Sequence, residues 1–261
     1  MSPDKSGRKE PVVFDKRPTL LNKWDDKKKG TDTKKGMYQY LTDEIRNAAS
    51  QVGNIIAGGN KRTNGCADGR LDSALKEGPF LEEMRAKLLQ TNPTWDIQIS
   101  PPRASCDIII NGLQINLKMT DCKTSDNSSN KRAIYYSITG QTDYPYSSTW
   151  NDFLAKLEEA KAANKIKTVR DPMTEYHYLV KNKSTGEVLF KSIFDIHTYI
   201  SNPSNDLQIN WKNEFANKEY YTSDEQYLNK VATLLECVQK SVRDMMQRNS
   251  AFAQTNIRDL L

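Results

Sequence analysis

Histidine and cysteine are scarce in this 261-residue chain, which has two of the first and four of the second. Cys66, Cys106, Cys122 and Cys237 are scattered with no C-x-x-C pair, and His177 and His197 add no ligand spacing. A structural zinc site is therefore not expected, and free thiols point to a reducing compartment. No Ser/His or Cys/His pairing of the kind that activates an acyl-transfer nucleophile stands out. No apolar run approaches the roughly 20 residues needed to span a bilayer. The opening MSPDKSGRKEPVVFDKRP lacks the apolar core of a secretory leader, so a cytoplasmic location and no membrane partner are expected. Five glycines lie between Gly53 and Gly69 in a loop that also carries Lys61, Arg62 and Arg70, but their spacing matches no P-loop or dinucleotide fingerprint.

What is present is charge and alternation. Charged residues make up 27% of the chain and the net charge is +5, a balance that permits a polyanionic partner without requiring one. Residues 1–36, with the run KWDDKKKGTDTKK, read as a basic arm, either simply solvated or contacting phosphates. The remainder, 37–261, reads as a single domain. Apolar spacing predicts helices over 37–52, about 71–90 and 150–165, with Gly78-Pro79 a candidate break in the second. WDIQIS and KRAIYYSITG read as strands, and EYHYLVKN and GEVLFKS as a hairpin about Ser184-Thr185-Gly186. SIFDIHTYI suggests a short helix and LQINWKNEF a strand. A capping box, Ser223 with Gln226, opens a C-terminal helix over about 223–247. Strands and helices alternating in this way predict an α/β fold, a mixed central β-sheet flanked by helices.

The stretch SCDIIINGLQINLKMTD, 105–121, carries the chemistry. Asn111-Gly112 is a strong two-residue hairpin signal, because both residues tolerate the positive φ of a type I′ turn. Such a turn pairs Ile110 with Leu113 and Ile108 with Ile115, and sets Asp107 opposite Asn116. Opposed residues share a face, so Asp107, Asn116 and Lys118 project together while Leu113, Ile115, Leu117 and Met119 face the other way. A carboxylate suits Mg²⁺, and a neighbouring lysine can orient a water or stabilise charge on a phosphate. That combination fits phosphodiester hydrolysis; the bland alternative is a solvated strand face.

Asp107, eight intervening residues and then Asn116-Leu117-Lys118 resembles the PD-(D/E)xK signature of type II restriction endonucleases. LQINLKMTDCKTSDNSSNKRAIYYSITGQTDYP is similar to the catalytic strand, basic loop, strand and turn of the EcoRV- and HincII-like branch. SNPSNDLQINWKNEF followed by TSDEQYL is similar to that branch's recognition loop and final helix. Cys106 stands where the signature has proline, and Asn116 where it has a second acid. The resemblance implies a restriction-endonuclease-like core, Mg²⁺ as cofactor, double-stranded DNA as partner and a homodimer cutting both strands of a specific, palindromic site. It implies Asp107 as metal ligand, Lys118 as the residue that positions the attacking water, and Asn116 and the Leu117 carbonyl as further metal contacts. A third carboxylate from the preceding helix fits the family plan, with Glu77 the candidate, Glu82 behind it and Asp121 lower still. DNA contacts are expected from Lys123, Lys131 and Arg132 on phosphates. Loops 139–149 and 201–210 would add Gln141, Thr142, Tyr144, Asn202, Ser204 and Asn205. Trp211 and Tyr135 read as core. A catalytically inert DNA-binding protein, or a structure-specific repair nuclease, are the alternatives.

Overall fold

A computed structural model describes residues 32–52, 69–101, 104–128, 130–145, 149–217 and 223–254. Most of the basic arm and the glycine-rich loop lie outside these residues. Two helices come first, α1 (Asp32–Gln51) and α2 (Gly69–Thr91), then strands β1 (Ile97–Ile99), β2 (Ile108–Ile110), β3 (Leu113–Thr120) and β4 (Asp126–Asn127). Helices α3 (Lys131–Thr139) and α4 (Trp150–Ala162) follow, then β5 (Tyr176–Asn182), β6 (Val188–Ser192), β7 (Tyr199–Asn202), β8 (Asp206–Ile209), α5 (Trp211–Ala216) and the long α6 (Asp224–Gln254). The chain is α/β, with a mixed five-stranded sheet in the order β1-β2-β3-β5-β6. Only the β3–β5 pair is parallel, and β4, α3 and α4 make up the crossover that joins those two strands.

Each sheet face buries its own core. Leu113, Ile115, Leu117 and Met119 of β3 pack with Leu41 and Ile45 of α1 and with Leu81, Met84 and Leu88 of α2. The opposite face, through Tyr176, Tyr178 and Val180 of β5, packs with α3, α4 and Trp211. Helix α2 runs unbroken through Gly78 and Pro79, which both face solvent, and Phe80, Leu81, Met84 and Leu88 beyond them are buried in the core.

Three expected elements differ. KRAIYYSITG is helix α3, not a strand. Asn130 caps it by accepting from the Ala133 N–H, and Gly140 closes it at φ 71°. Seven of its residues are buried, so it shows no polar stripe, and Ser137 and Thr139 satisfy their hydroxyls on carbonyls one turn back. SIFDIHTYI is a single 3₁₀ turn over Ile193–Asp195 followed by β7, and LQINWKNEF divides into β8 and α5. Tyr135 and Trp211 are buried as expected.

A second, three-stranded sheet, β4-β8-β7, is fastened to the first by buried polar contacts. Lys191 of β6 pairs with Glu214 of α5 at 2.8 Å, and Glu214 accepts the N–H groups of His197 and Thr198 that lead into β7. Ser128, just past β4, donates to the Tyr178 hydroxyl of β5 at 2.5 Å. Beneath them Arg170 binds Glu175 through two nitrogens and Asp195 through one, all fully buried. No helix among the described residues is long and apolar enough to cross a membrane.

Candidate active site

Local sequence builds the hairpin as expected. Asn111 (φ 47°) and Gly112 (φ 87°) take the two positive-φ positions, and Ile110 pairs with Leu113 and Ile108 with Ile115. The paired register ends there, one residue short of Asp107 and Asn116, yet their side chains do meet: the Asn116 amide donates to Asp107 Oδ2 at 2.7 Å. The ladder then stops, for an identifiable reason. Asp107 N–H still donates to the Ile115 carbonyl, but the Leu117 N–H meets Asp107 Oδ2 at 2.7 Å instead of a backbone oxygen. The Ser105 carbonyl is drawn away by the Tyr176 hydroxyl (2.6 Å) and the Asn130 amide (2.8 Å). The sheet therefore forks between β2 and β3, with the Asp107 carboxylate in the opening. Along a strand a residue's N–H and C=O point to the same neighbour, so the Leu117 carbonyl is directed at this gap too.

Glu77 reaches the same place from α2. Burial lifts its carboxyl above the ordinary value, the negative charge of Asp107 lifts it further, and Lys118 pulls it back. Burial also raises Asp107, opposed by the Leu117 N–H and by Lys118. Glu77 thus feels the charges of Asp107 and Lys118 across two segments distant in sequence, helix α2 and the β2–β3 hairpin. Glu82 is exposed and pairs with Arg85 at 3.6 Å, away from the fork. Asp121 lies past the end of β3; burial works against its ionisation, but the backbone and side chain of Lys123 hold its carboxyl below the ordinary value.

Both hydrogen bonds to Asp107 fall on Oδ2, leaving Oδ1 for a cation. Two half-buried carboxylates, one raised by the charge of the other, with an amide oxygen and a backbone carbonyl offer an all-oxygen set of the kind Mg²⁺ prefers. Among the described residues no group of three or more His, Cys, Asp or Glu side chains forms a metal cluster, so carbonyl oxygens and water would complete the shell.

The expected DNA contacts separate into those brought near the fork and those that are not. Lys131 and Arg132 form the first turn of α3, beside the Asn130 cap that holds Ser105. The Lys131 ammonium rests 4.5 Å from the Trp150 ring centre, and Lys123 is exposed. Gln141 is half-buried and Thr142 exposed, while part of the 139–149 loop lies outside the described residues. Tyr144 is a correction: it is buried between Tyr135 and Phe153, with ring centres 5.1 and 5.8 Å away, so its ring cannot reach a base. The 201–210 loop is the tight turn between β7 and β8. Asn202 forms that turn by accepting the Ser204 N–H at 2.8 Å, which commits its side-chain oxygen, whereas Ser204 is exposed at the tip.

Two features escaped sequence reasoning. Asp126, within what read as a polar loop, is a strand residue whose half-buried carboxyl is raised by burial and opposed by Lys118. Asn127 next to it bonds Asn205, and Gln208 bonds Asn127. Nothing local marks either, because β4 exists only through its pairing with β8, some 80 residues away. Comparison with protein-family models and with curated proteins finds no match for this chain.

Proposed function

We propose that this protein is a Mg²⁺-dependent endonuclease with a PD-(D/E)xK-like core, hydrolysing double-stranded DNA at a specific site as type II restriction enzymes do. The observation that carries this reading is the Asp107 carboxylate held in the break between β2 and β3 by the Asn116 amide and the Leu117 N–H, where its charge and that of Lys118 act on Glu77 of α2. A solvated strand face would need no carboxylate from a separate helix and no break in the ladder.

Each residue has a definable task. Asp107 and Glu77 provide negative charge where a divalent cation and a phosphate must meet, and Asn116 keeps Asp107 Oδ2 turned away from that point. Lys118, on the same strand face two residues along, orients the attacking water and counters the charge building on the phosphate. Mg²⁺ held there would neutralise phosphate charge and make a water more acidic. Lys123, Lys131 and Arg132 supply cations for flanking phosphates. Attack of the water on phosphorus breaks the bond to the 3′ oxygen, which leaves as a 3′-hydroxyl, and the other product end is a 5′-phosphate. Cutting both strands of a palindromic site calls for a second copy of the chain, related by a two-fold axis.

Incubation with plasmid and phage DNA in Mg²⁺ tests the reading, and discrete fragments are expected. Asp107→Ala and Lys118→Ala should each abolish cleavage while DNA binding survives. Binding without cutting by the unaltered protein, or full-rate cutting by either variant, overturns it. Smeared or branch-specific products would replace the restriction role with a repair role.

A further inference from the structure

The group that accepts the Leu117 N–H decides how the Asp107 carboxylate is held, and that choice is made outside the hairpin. The N–H and C=O of a trans peptide unit point opposite ways. With the Asp107 N–H on the Ile115 carbonyl, the Cys106 carbonyl is therefore directed away from β3. In an extended strand the carbonyl that comes back toward Leu117 is then that of Ser105. It is already filled. The Tyr176 hydroxyl donates to it at 2.6 Å and the Asn130 side-chain amide at 2.8 Å, and a carbonyl oxygen has two lone pairs. The Leu117 N–H goes instead to Asp107 Oδ2 at 2.7 Å. Both donors are themselves held in place. Tyr176 opens β5 with its ring buried, and its N–H donates to the Ser137 hydroxyl of α3 at 2.9 Å. Asn130 is the N-cap of α3, where its side-chain oxygen accepts the Ala133 N–H at 3.0 Å and its amide reaches Ser105.

We propose that Tyr176 and Asn130 are positioning residues of the active site: by filling the Ser105 carbonyl they commit the Leu117 N–H to Asp107 Oδ2, which leaves Oδ1 for a divalent cation. The proposal rests on the nuclease reading above. A buried tyrosine hydroxyl needs some acceptor. Taking one that the sheet itself would use leaves a backbone N–H to be satisfied elsewhere, and here that N–H is one of the two that fix Asp107. Once released, the Ser105 carbonyl can close the ladder on Leu117, and Asp107 keeps only the Asn116 amide. A carboxylate held by one bond in place of two swings more freely and presents its second oxygen less steadily to an ion. Partners one step removed from a metal govern its affinity by roughly ten- to a hundredfold in this way. Neither residue acts on the cation or the DNA directly; both act through Ser105.

The test uses the full chain and two conservative variants. Tyr176→Phe removes only the hydroxyl, and Asn130→Ser keeps a good helix cap while removing the amide donor. Two quantities are read: the Mg²⁺ concentration that gives half of the ion's full stabilising effect in urea unfolding without DNA, and the cleavage rate of plasmid DNA as Mg²⁺ is varied. Each variant should need about tenfold more Mg²⁺ in both measurements and should lower kcat, with KM for DNA unchanged. Tyr38→Phe is the control, because it too removes a buried hydroxyl bond, to His177 on the opposite face of the sheet. It should change neither quantity. A native Mg²⁺ requirement and rate in either test variant, or an equal shift in Tyr38→Phe, overturns the positioning role and leaves the nuclease reading standing. An unaltered protein that Mg²⁺ does not stabilise and that leaves DNA intact overturns both.

Discussion

Asn116→Asp, which restores the second acid of the family signature, is a sharp test of the fork. In the native site the Asn116 amide donates to Asp107 Oδ2 at 2.7 Å. A carboxylate there removes a bond to a charged acceptor, about 1.5–3 kcal/mol. It also sets two like charges about 4 Å apart, a repulsion of roughly 4 kcal/mol at an effective dielectric near 20. Proton uptake limits the damage. At pH 7 a carboxyl with an ordinary pKa near 4 takes a proton at a cost of about 4 kcal/mol, and burial of Asp107 has already moved it in that direction. The variant should therefore be about 2–4 kcal/mol less stable than the native protein at pH 7 without divalent ions. A raised carboxylate pKa gives a penalty that is full above the folded-state value and fades as pH falls through it, so the gap should narrow from pH 7 to pH 5. Mg²⁺ should close it as well, and should stabilise the variant more than the native protein. Urea unfolding at both pH values, with and without Mg²⁺, reads all of this. Equal stabilities at pH 7 without metal, or a gap that Mg²⁺ leaves unchanged, would refute the reasoning. Cleavage by the variant should remain measurable and metal-dependent.

Other expectations concern the frame around the site. His177 is fully buried, stacked on Phe190 and bonded to the Tyr38 hydroxyl, and burial pushes its pKa down to about 3. The unfolded chain gains a proton near pH 6.5 that the folded one refuses, so stability present above that pH is lost on acidification at about 1.4 kcal/mol per pH unit. Replacing it by Gln should flatten the stability profile between pH 6.5 and 5, and an unchanged slope would contradict the assignment. Arg170→Met should cost about 3–5 kcal/mol in urea unfolding, because Glu175 and Asp195 keep their buried charges without a partner. Lys87→Met, at a half-exposed pair 3.7 Å from Glu83, should change stability by under about 1 kcal/mol. Tyr144→Phe should leave DNA affinity unaltered and Tyr144→Ala should lose about 3–5 kcal/mol of stability, as a core residue does; a direct affinity loss in the Phe variant would return Tyr144 to the DNA surface.

Features ruled by local chemistry are legible in the sequence. Asn111-Gly112 sets the turn, the turn sets the register, and the register sets Asp107 opposite Asn116 with Lys118 on the same face. The amphipathic spacing of α1, α2 and α4 and the β5–β6 hairpin were legible for the same reason, since a half-exposed element shows its period. Where burial is complete the period disappears: α3, covered all round, reads as a strand until the Asn130 and Gly140 caps are weighed. The tertiary structure alone decided what depends on distant partners. It set Glu77 where the charges of Asp107 and Lys118 act on it, left Glu82 exposed beside Arg85, and took Tyr144 into the core. It also drew the Ser105 carbonyl aside with Tyr176 and Asn130, opening the sheet at Asp107. Asp126 became a strand residue only because β8 returns to pair with it, and a contact between segments so far apart leaves no trace in the spacing of either.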